Sequence, residues 1–444
     1  MSEQRFHLKY FFMIFVATIL VRSICAFVPA ISDELPDSYL RAVQYADAAN
    51  NVLQGNGIKL DRVKVDKIFL DWGATERRLP PPYTNYKDSQ SPQYDGFWDE
   101  KGYLMLTIGL AKLTGQIRYE NVIYLQILLS GLASLLFANA VFRFTGVTSW
   151  AVSSGLIYSI HPVEIVLAIS PDHPIWPVYA AVVALAALTF QWSSWPRGRA
   201  FFIAFLVGTF IGYCVVTRAT VIAIAGTLVL AFVLLRKFNF VTTIFLVLGL
   251  TFSIVASRFV LPDTPTVGRS IFYHTLLAGV SEFGAIEGLE WDDESINNYI
   301  TKRYDVLPNT PEFDEAFKLE YHKLLEANPW LPISVPLKRF ATFVVAWQPG
   351  RNIAPIVIIL AAFKIAVVIG AIFAWKVVRR HNQLQPALCG SLIVFTPVLF
   401  HTLIVPLNIV YTAPSLILIT PLAWIAVLSI LQLMRSKEND HQPP

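Results

Sequence analysis

The chain has 444 residues, of which 55% are hydrophobic and only 15% charged, with a formal net charge of +4. Soluble domains carry roughly 25% charged residues, so this composition excludes an ordinary globular enzyme. A net charge this small also gives no footprint for nucleic acid.

Apolar runs of about 20 residues recur along most of the chain, which predicts an all-α polytopic membrane protein. Membrane spans are expected at residues 9–30, 121–142, 147–168, 174–192, 200–216, 220–235, 240–260, 353–378, 386–405 and 409–434, a bundle of about 10. The first run is long for a signal-peptide core and reads as a retained anchor. Cys25, Cys214 and Cys389 all lie in apolar runs, with no paired spacing for a disulfide or zinc, and read as small buried residues.

The basic residues set the orientation. With Arg5 and Lys9 cytoplasmic, ten spans leave Arg143, Arg197, Arg199, Arg236 and Lys237 on that same side. Arg379, Arg380, Arg435 and Lys437 follow them, so both termini are expected to be cytoplasmic. Two long polar segments, 31–120 and 261–352, then fall outside the cytoplasm, and the whole of 1–444 reads as one membrane domain without repeats.

In the first segment, the acidic cluster Asp33-Glu34-Leu35-Pro36-Asp37 follows the first span directly. Ala42, Val43, Ala46, Ala49, Val52 and Leu53 then form a stripe at helical spacing, with Asp37 or Ser38 able to cap it and Gly55 or Gly57 to stop it. Such a helix lies along the interface. Residues 103–113 are apolar but too short to span, which predicts a second surface or re-entrant helix. In the second segment Phe313, Phe317, Tyr321 and Leu324 predict an amphipathic helix that stops by Pro329. Acceptor specificity would sit in that segment.

Four stretches put ionisable groups on the same outer face. They are the Asp33–Asp37 cluster, Trp98-Asp99-Glu100-Lys101-Gly102-Tyr103, Ser170-Pro171-Asp172-His173-Pro174, and Thr217-Arg218-Ala219. A carboxylate at the membrane boundary can act as general base towards an acceptor hydroxyl. Lys101 and Arg218 could hold a phosphate and stabilise charge building on it as a bond breaks. Each residue also has a plainer role. Asp37 can be a helix cap, Arg218 can reach to the interface for water, His173 can be a turn residue, and the Asp292/Asp293 pair can be solvated.

This pattern resembles the polyprenyl-phosphate-dependent membrane glycosyltransferases of the GT-C fold, in particular their protein O-mannosyltransferase and lipid A aminoarabinose transferase group. The likeness is carried by the acids after the first span, by Tyr45-Ala46-Asp47-Ala48-Ala49-Asn50-Asn51-Val52-Leu53-Gln54-Gly55, and by Glu100-Lys101-Gly102-Tyr103. It implies an inverting transfer of a sugar from a polyprenyl-phosphate donor to a glycan, lipid or protein acceptor, within membrane lipid, on the outer face. Asp33, Glu34 or Asp37 would supply the base, Lys101 and Arg218 would bind donor phosphate, and Asp172 with His173 would form a second acidic site. Glu100 can ligand a metal in this family; with His274 it could share a divalent cation, the one cofactor in question. The setting implied is the envelope of a bacterial cell, at the inner membrane. Two departures stand out: the family's acid, four residues before the helix tyrosine, is here Arg41, and Gly102 replaces the usual proline.

Two rival classes remain. A lipid-linked oligosaccharide polymerase or ligase would rely on outer-loop arginines and a histidine. A transporter would show ionisable residues or broken helices near the midplane, whereas these spans read as almost free of central charge.

Overall fold

The computed structural model describes residues 8–28, 40–73, 81–96, 101–169, 197–217, 240–261, 271–281, 293–306, 311–346 and 365–376, with isolated positions at 221–229 and 379. The architecture is all-α, with one short β ladder among the described residues. The chain divides into two compact units: Met1–Pro262 with Ala361–Val394 and Ala413–Pro444, and Asp263–Leu360 with Phe395–Thr412.

The first unit begins with α1 (Leu8–Phe27), α2 (Leu40–Leu53) and strand β1 (Lys59–Asp61), followed by α3 (Arg62–Gly73). Strand β2 (Tyr94–Gly96) pairs antiparallel with β1, setting Leu60 opposite Asp95. Then come α4 (Lys101–Thr114), α5 (Tyr119–Thr145), α6 (Thr148–Ile160), α7 (Pro162–Ile169), α8 (Arg197–Thr217) and α9 (Phe240–Val260). Helices α1, α5, α8 and α9 each hold a stretch long and apolar enough to cross a membrane. Phe12, Leu20 and Ile24 on α1, and Phe252 and Phe259 on α9, are exposed, as lipid-facing side chains must be. The chain is an integral membrane protein. The expected spans at 174–192, 386–405 and 409–434, with most of 220–235, lie outside the described residues; of 353–378, Ile365–Lys376 is an apolar helix.

Lipid gives helices no hydrophobic reason to associate, so close packing and internal hydrogen bonds hold the bundle. Thr18 of α1 donates to Ser134 of α5 at 2.9 Å and shares a 2.6 Å hydrogen bond with Ser159 of α6. Helices α8 and α9 approach until their backbones touch. A Cβ on Gly208 or Gly212 would strike the Leu246 or Leu250 carbonyl, and one on Gly249 would strike that of Phe205.

The span expected at 147–168 is not one helix. It ends at Ile160, passes through extended backbone at His161 (φ −66°, ψ 121°), and restarts at Pro162. Proline has no N–H to offer, and it disfavours the helical conformation in the residue before it. The carbonyl four residues back, that of Tyr158, therefore has no helical donor. Arg22 of α1, fully buried, supplies one: its Nη2 donates to that carbonyl at 3.1 Å, while its guanidinium lies 4.7 Å from the centre of the Tyr158 ring. Glu164 is buried in the following α7. The spans thus carry internal charge that hydropathy alone conceals.

The second unit contains α10 (Ile271–Ser281), α11 (Asp293–Tyr304), α12 (Pro311–Ala327) and α13 (Leu331–Ala346). The expected amphipathic helix is α12: Phe313 and Phe317 are buried and meet edge-to-face at 4.9 Å, in a core with Leu277, Ile296, Ile300 and Val335. Buried Glu320 accepts hydrogen bonds from the Tyr299 and Tyr304 hydroxyls and pairs with Arg303 at 3.0 Å.

Arg22→Met should destabilise the detergent-purified protein by about 1–3 kcal/mol, the usual penalty for a buried polar group left without a partner. Pro162→Ala restores an N–H at that position, so in its background the same substitution should cost at least about 1 kcal/mol less. Thermal unfolding of the four proteins measures the difference; equal losses would show that the carbonyl does not depend on Arg22.

Candidate functional site

The site is built around the N-terminus of α4. Its first three residues, Lys101, Gly102 and Tyr103, are half-buried, buried and buried. Gly102 lies against the last turn of α8: a Cβ there would come within 2.5 Å of Thr217 Oγ1, 2.6 Å of its N and 2.7 Å of its Cα. The Tyr213 hydroxyl, one turn earlier on α8, donates to the Gly102 carbonyl at 2.8 Å. The glycine at this position has a physical reason. Any residue with a Cβ, proline included, would collide with the Thr217 backbone.

Helix α2 fixes the other side of α4. Its alanine-rich face buries Ala42, Ala46, Ala48 and Ala49, and Tyr45 meets Tyr103 at 85° with ring centroids 4.0 Å apart. Tyr45, Tyr103, Leu104 and Ile108 share a cluster with Val122 at the start of α5 and Leu261 just past α9. The surface helices α2 and α4 are thus anchored to the ends of two membrane helices. Gly55 and Gly57, at φ 81° and 83°, stop α2 as the sequence predicts.

One turn along α2 lies a polar node. Asp47 is fully buried and accepts from the Tyr83 hydroxyl at 2.7 Å, the Asp61 amide at 2.6 Å and Asn51 Nδ2 at 3.1 Å. Asp61 in turn accepts from Ser89 Oγ at 2.6 Å, binding the 81–96 segment to the β ladder. Burial raises the Asp47 pKa above the ordinary carboxylate value, while Tyr83, the Asp61 amide and Lys64 pull it back part of the way. Asp88, closer to solvent, is held below the ordinary value by hydrogen bonds from Lys64 and Gln54.

Of the residues predicted to carry chemistry, Lys101 and His274 are described; Asp33, Glu34, Asp37, Glu100, Asp172, His173 and Arg218 lie outside the described residues. Thr217, the last residue of α8, meets Gly102, the neighbour of Lys101. His274 is buried on α10 with its ring tilted at 70° to that of Phe317, 5.0 Å between centroids. No group of three His, Cys, Asp or Glu side chains that could hold a metal ion occurs among the described residues.

Sequence reasoning missed the Asp47–Tyr83–Asp61 node. One sign was available, an acid set inside an alanine-rich helical stripe. Its partners come from residues 14 and 36 positions away, and nothing local announces them.

The fold has a known counterpart. The chain is similar to the archaeal oligosaccharyltransferase AglB from Archaeoglobus fulgidus, solved in complex with an inhibitory peptide and a dolichol-phosphate, with a TM-score of 0.52 and 14% sequence identity. The likeness covers 98% of this chain and 52% of AglB, so the chain spans about half the length of that protein. It shows a GT-C-like fold. No protein-family model matches the chain, and no curated protein does.

Gly102→Ala should force α4 and α8 apart and cost about 1–3 kcal/mol, as overpacking of a tight interface does. Adding Thr217→Ala should not rescue it, because the Thr217 backbone itself blocks the Cβ. Melting temperatures of the single and double variants test this; rescue by Thr217→Ala would place the clash in the side chain alone.

Asp47→Asn replaces an acceptor oxygen with a donor, facing a hydroxyl and an amide that are already donors. A loss of about 1–3 kcal/mol is expected near neutral pH. The pH trend has a definite sign. Because the folded pKa of Asp47 is raised, the native state holds that proton more tightly than the unfolded chain. Stability from this group therefore grows as pH falls from above the raised value towards the ordinary carboxylate range. Asp88 runs oppositely: its contribution is present above that range and is lost as pH falls through its lowered value. Denaturant titrations from pH 7 to pH 4 should show the Asp47 trend vanish in Asp47→Asn, whereas the Asp88 loss should appear in both proteins only when the titration is carried below the ordinary carboxylate range.

Proposed function

We propose that the chain is a membrane glycosyltransferase that moves a sugar from a polyprenyl-phosphate donor to an acceptor outside the cytoplasm, with inversion at the anomeric carbon. The observation that carries this reading is the placement of Lys101 as the first residue of α4, a helix with no acid in its first turn. The amino end of a helix carries about half a positive charge, so a lysine there is repelled by its own helix and an anion is drawn to both. The reading also takes Arg218, next in sequence to Thr217, as a second phosphate-binding cation, and the Gly102–Thr217 contact supports it. A lipid phosphate whose tail lies among the spans would offer its head group there. The GT-C-like fold, and the dolichol-phosphate in the AglB complex, support the same donor class.

In this reading a carboxylate of the Asp33–Glu34–Asp37 cluster takes the proton of the acceptor hydroxyl. The freed oxygen attacks the anomeric carbon from the face opposite the phosphate. The bond from that carbon to the phosphate oxygen breaks, and the electron pair leaves with the lipid phosphate. Lys101 and Arg218 stabilise the charge gathering on it. Phosphate is already a good leaving group, so a protonating acid is less needed than in glycoside hydrolysis. Asp172 and His173 would form a second acidic position beside the site. The organism's inner membrane, with both termini cytoplasmic, is the proposed setting.

The buried Arg22 and the helix break at His161 are features expected of a transporter. Their geometry favours an architectural role, since Arg22 completes the carbonyl that Pro162 leaves open.

Removing a true general base should lower the transfer rate about 10²–10⁴-fold. Asp33→Asn and Asp37→Asn, singly and together, would be assayed with purified protein, a polyprenyl-phosphate sugar and candidate acceptors. Near-normal transfer in the double variant would sink the base assignment. Lys101→Ala should weaken binding of the polyprenyl-phosphate donor about 10–100-fold, as loss of a charge-assisted hydrogen bond does. Solute movement across proteoliposomes without consumption of the lipid-linked sugar would replace the transferase reading with a transporter.

A further inference from the structure

The first unit holds a cavity of about 480 Å³ that the transfer step does not use. It lies at the carboxyl end of α4, where Ala111 and Gln116 meet Asn50 of α2 and the 83–88 segment. Ten residues separate Lys101 from Ala111, or about 15 Å along the helix. The volume falls in the roughly 300–1,000 Å³ range of small-molecule sites.

The walls indicate what fits. Asp88 is gripped from three sides: Lys64 Nζ at 2.9 Å and Asn50 Nδ2 at 3.1 Å reach Oδ1, and Gln54 Nε2 reaches Oδ2 at 2.7 Å. A carboxylate has about four acceptor positions, so Oδ2 keeps one for a ligand hydroxyl. The carboxylate side chain is 54% exposed while the lysine is 3% exposed, which turns the acceptor outward and hides the cation. Lys64 is engaged a second time, with its ammonium 4.1 Å from the centre of the Tyr83 ring. A bare anion would therefore find buried Lys64 already neutralised with a carboxylate in front of it, and the other lysine of the lining, Lys87, is an exposed side chain. Beside these groups stands the half-buried Tyr86, which supplies an aromatic wall. Fixed acceptors and amides next to an aromatic ring suit a neutral ring with hydroxyls on its rim and C–H groups on its face.

We propose that this cavity is a carbohydrate-binding subsite, holding a sugar unit of the glycan that lies away from the reacting bond. Its role rests on the transferase reading, though its ligand chemistry does not. Binding energy gathered at such a distance can be used to orient the reacting end.

The test uses the full-length protein in nanodiscs on an array of oligosaccharides that carry no lipid phosphate. Binding to a subset of glycans is expected, reduced at least tenfold by Tyr86→Ala. Gln116→Trp, at an exposed lining position away from the Asp88 network, should block the cavity and give the same loss without lowering the melting temperature. Lys101→Ala should leave array binding intact. Absence of any bound glycan, binding undisturbed by Gln116→Trp, or full competition by inorganic phosphate would each overturn the proposal. Glycan binding that persists in a protein without transfer activity would remove the transferase reading and leave the subsite standing.

Discussion

The arrangement of the site depends on one steric constraint, the absence of a side chain at Gly102. Two helices can bring their backbones into contact only where a Cβ is missing, and here α4 begins directly on the last turn of α8. The contact is polar as well as tight, since the Tyr213 hydroxyl bonds the Gly102 carbonyl. One to three turns earlier, α8 packs through Gly208 and Gly212 against α9 by the same device. A line of backbone contacts therefore runs from the membrane pair α8–α9 to the start of α4. What α4 presents at its amino end is positioned by the membrane helices and does not depend on loop conformation.

Asp47 does for the first polar segment what glycine does for the helices. A buried carboxylate is unfavourable unless its oxygens are occupied, and this one collects donors from a β strand, a short helical turn and its own helix. The burial that raises its pKa also makes its partners hard to exchange, because in a low-dielectric setting any other pairing leaves a donor or acceptor empty. The node ties the short β ladder and the 81–96 segment to α2, beside an apolar cluster of Val43, Ala46, Val65 and Ile68.

How far the sequence discloses the fold follows the physics of each element. Helix α9 matches its expected bounds, 240–260, because a long apolar run has one solution in lipid. Helices α2 and α12 were legible from the helical spacing of Ala46 and Ala49 and of Phe313 and Phe317, and α4 from an apolar run too short to span. The break at His161 had a local sign in Pro162, but an average over twenty residues passes across it. The same averaging passes over Arg22, which lies in the last two turns of α1. One arginine barely lowers the mean over twenty residues, and its partner is a backbone carbonyl 136 positions away. At the candidate site, Asp47 and the contact at Gly102 were not legible, because they are properties of contacts between segments distant in sequence.

The cations of the first unit can be told apart by what the fold provides for them. Arg22 meets a carbonyl that proline leaves open, so the fold needs it there. Lys64 lies between Asp88 and the Tyr83 ring, joining the segments that carry them. Lys101 begins α4, half-buried and next in sequence to the Gly102–Thr217 contact, so its place is set by the same close approach that joins α4 to α8.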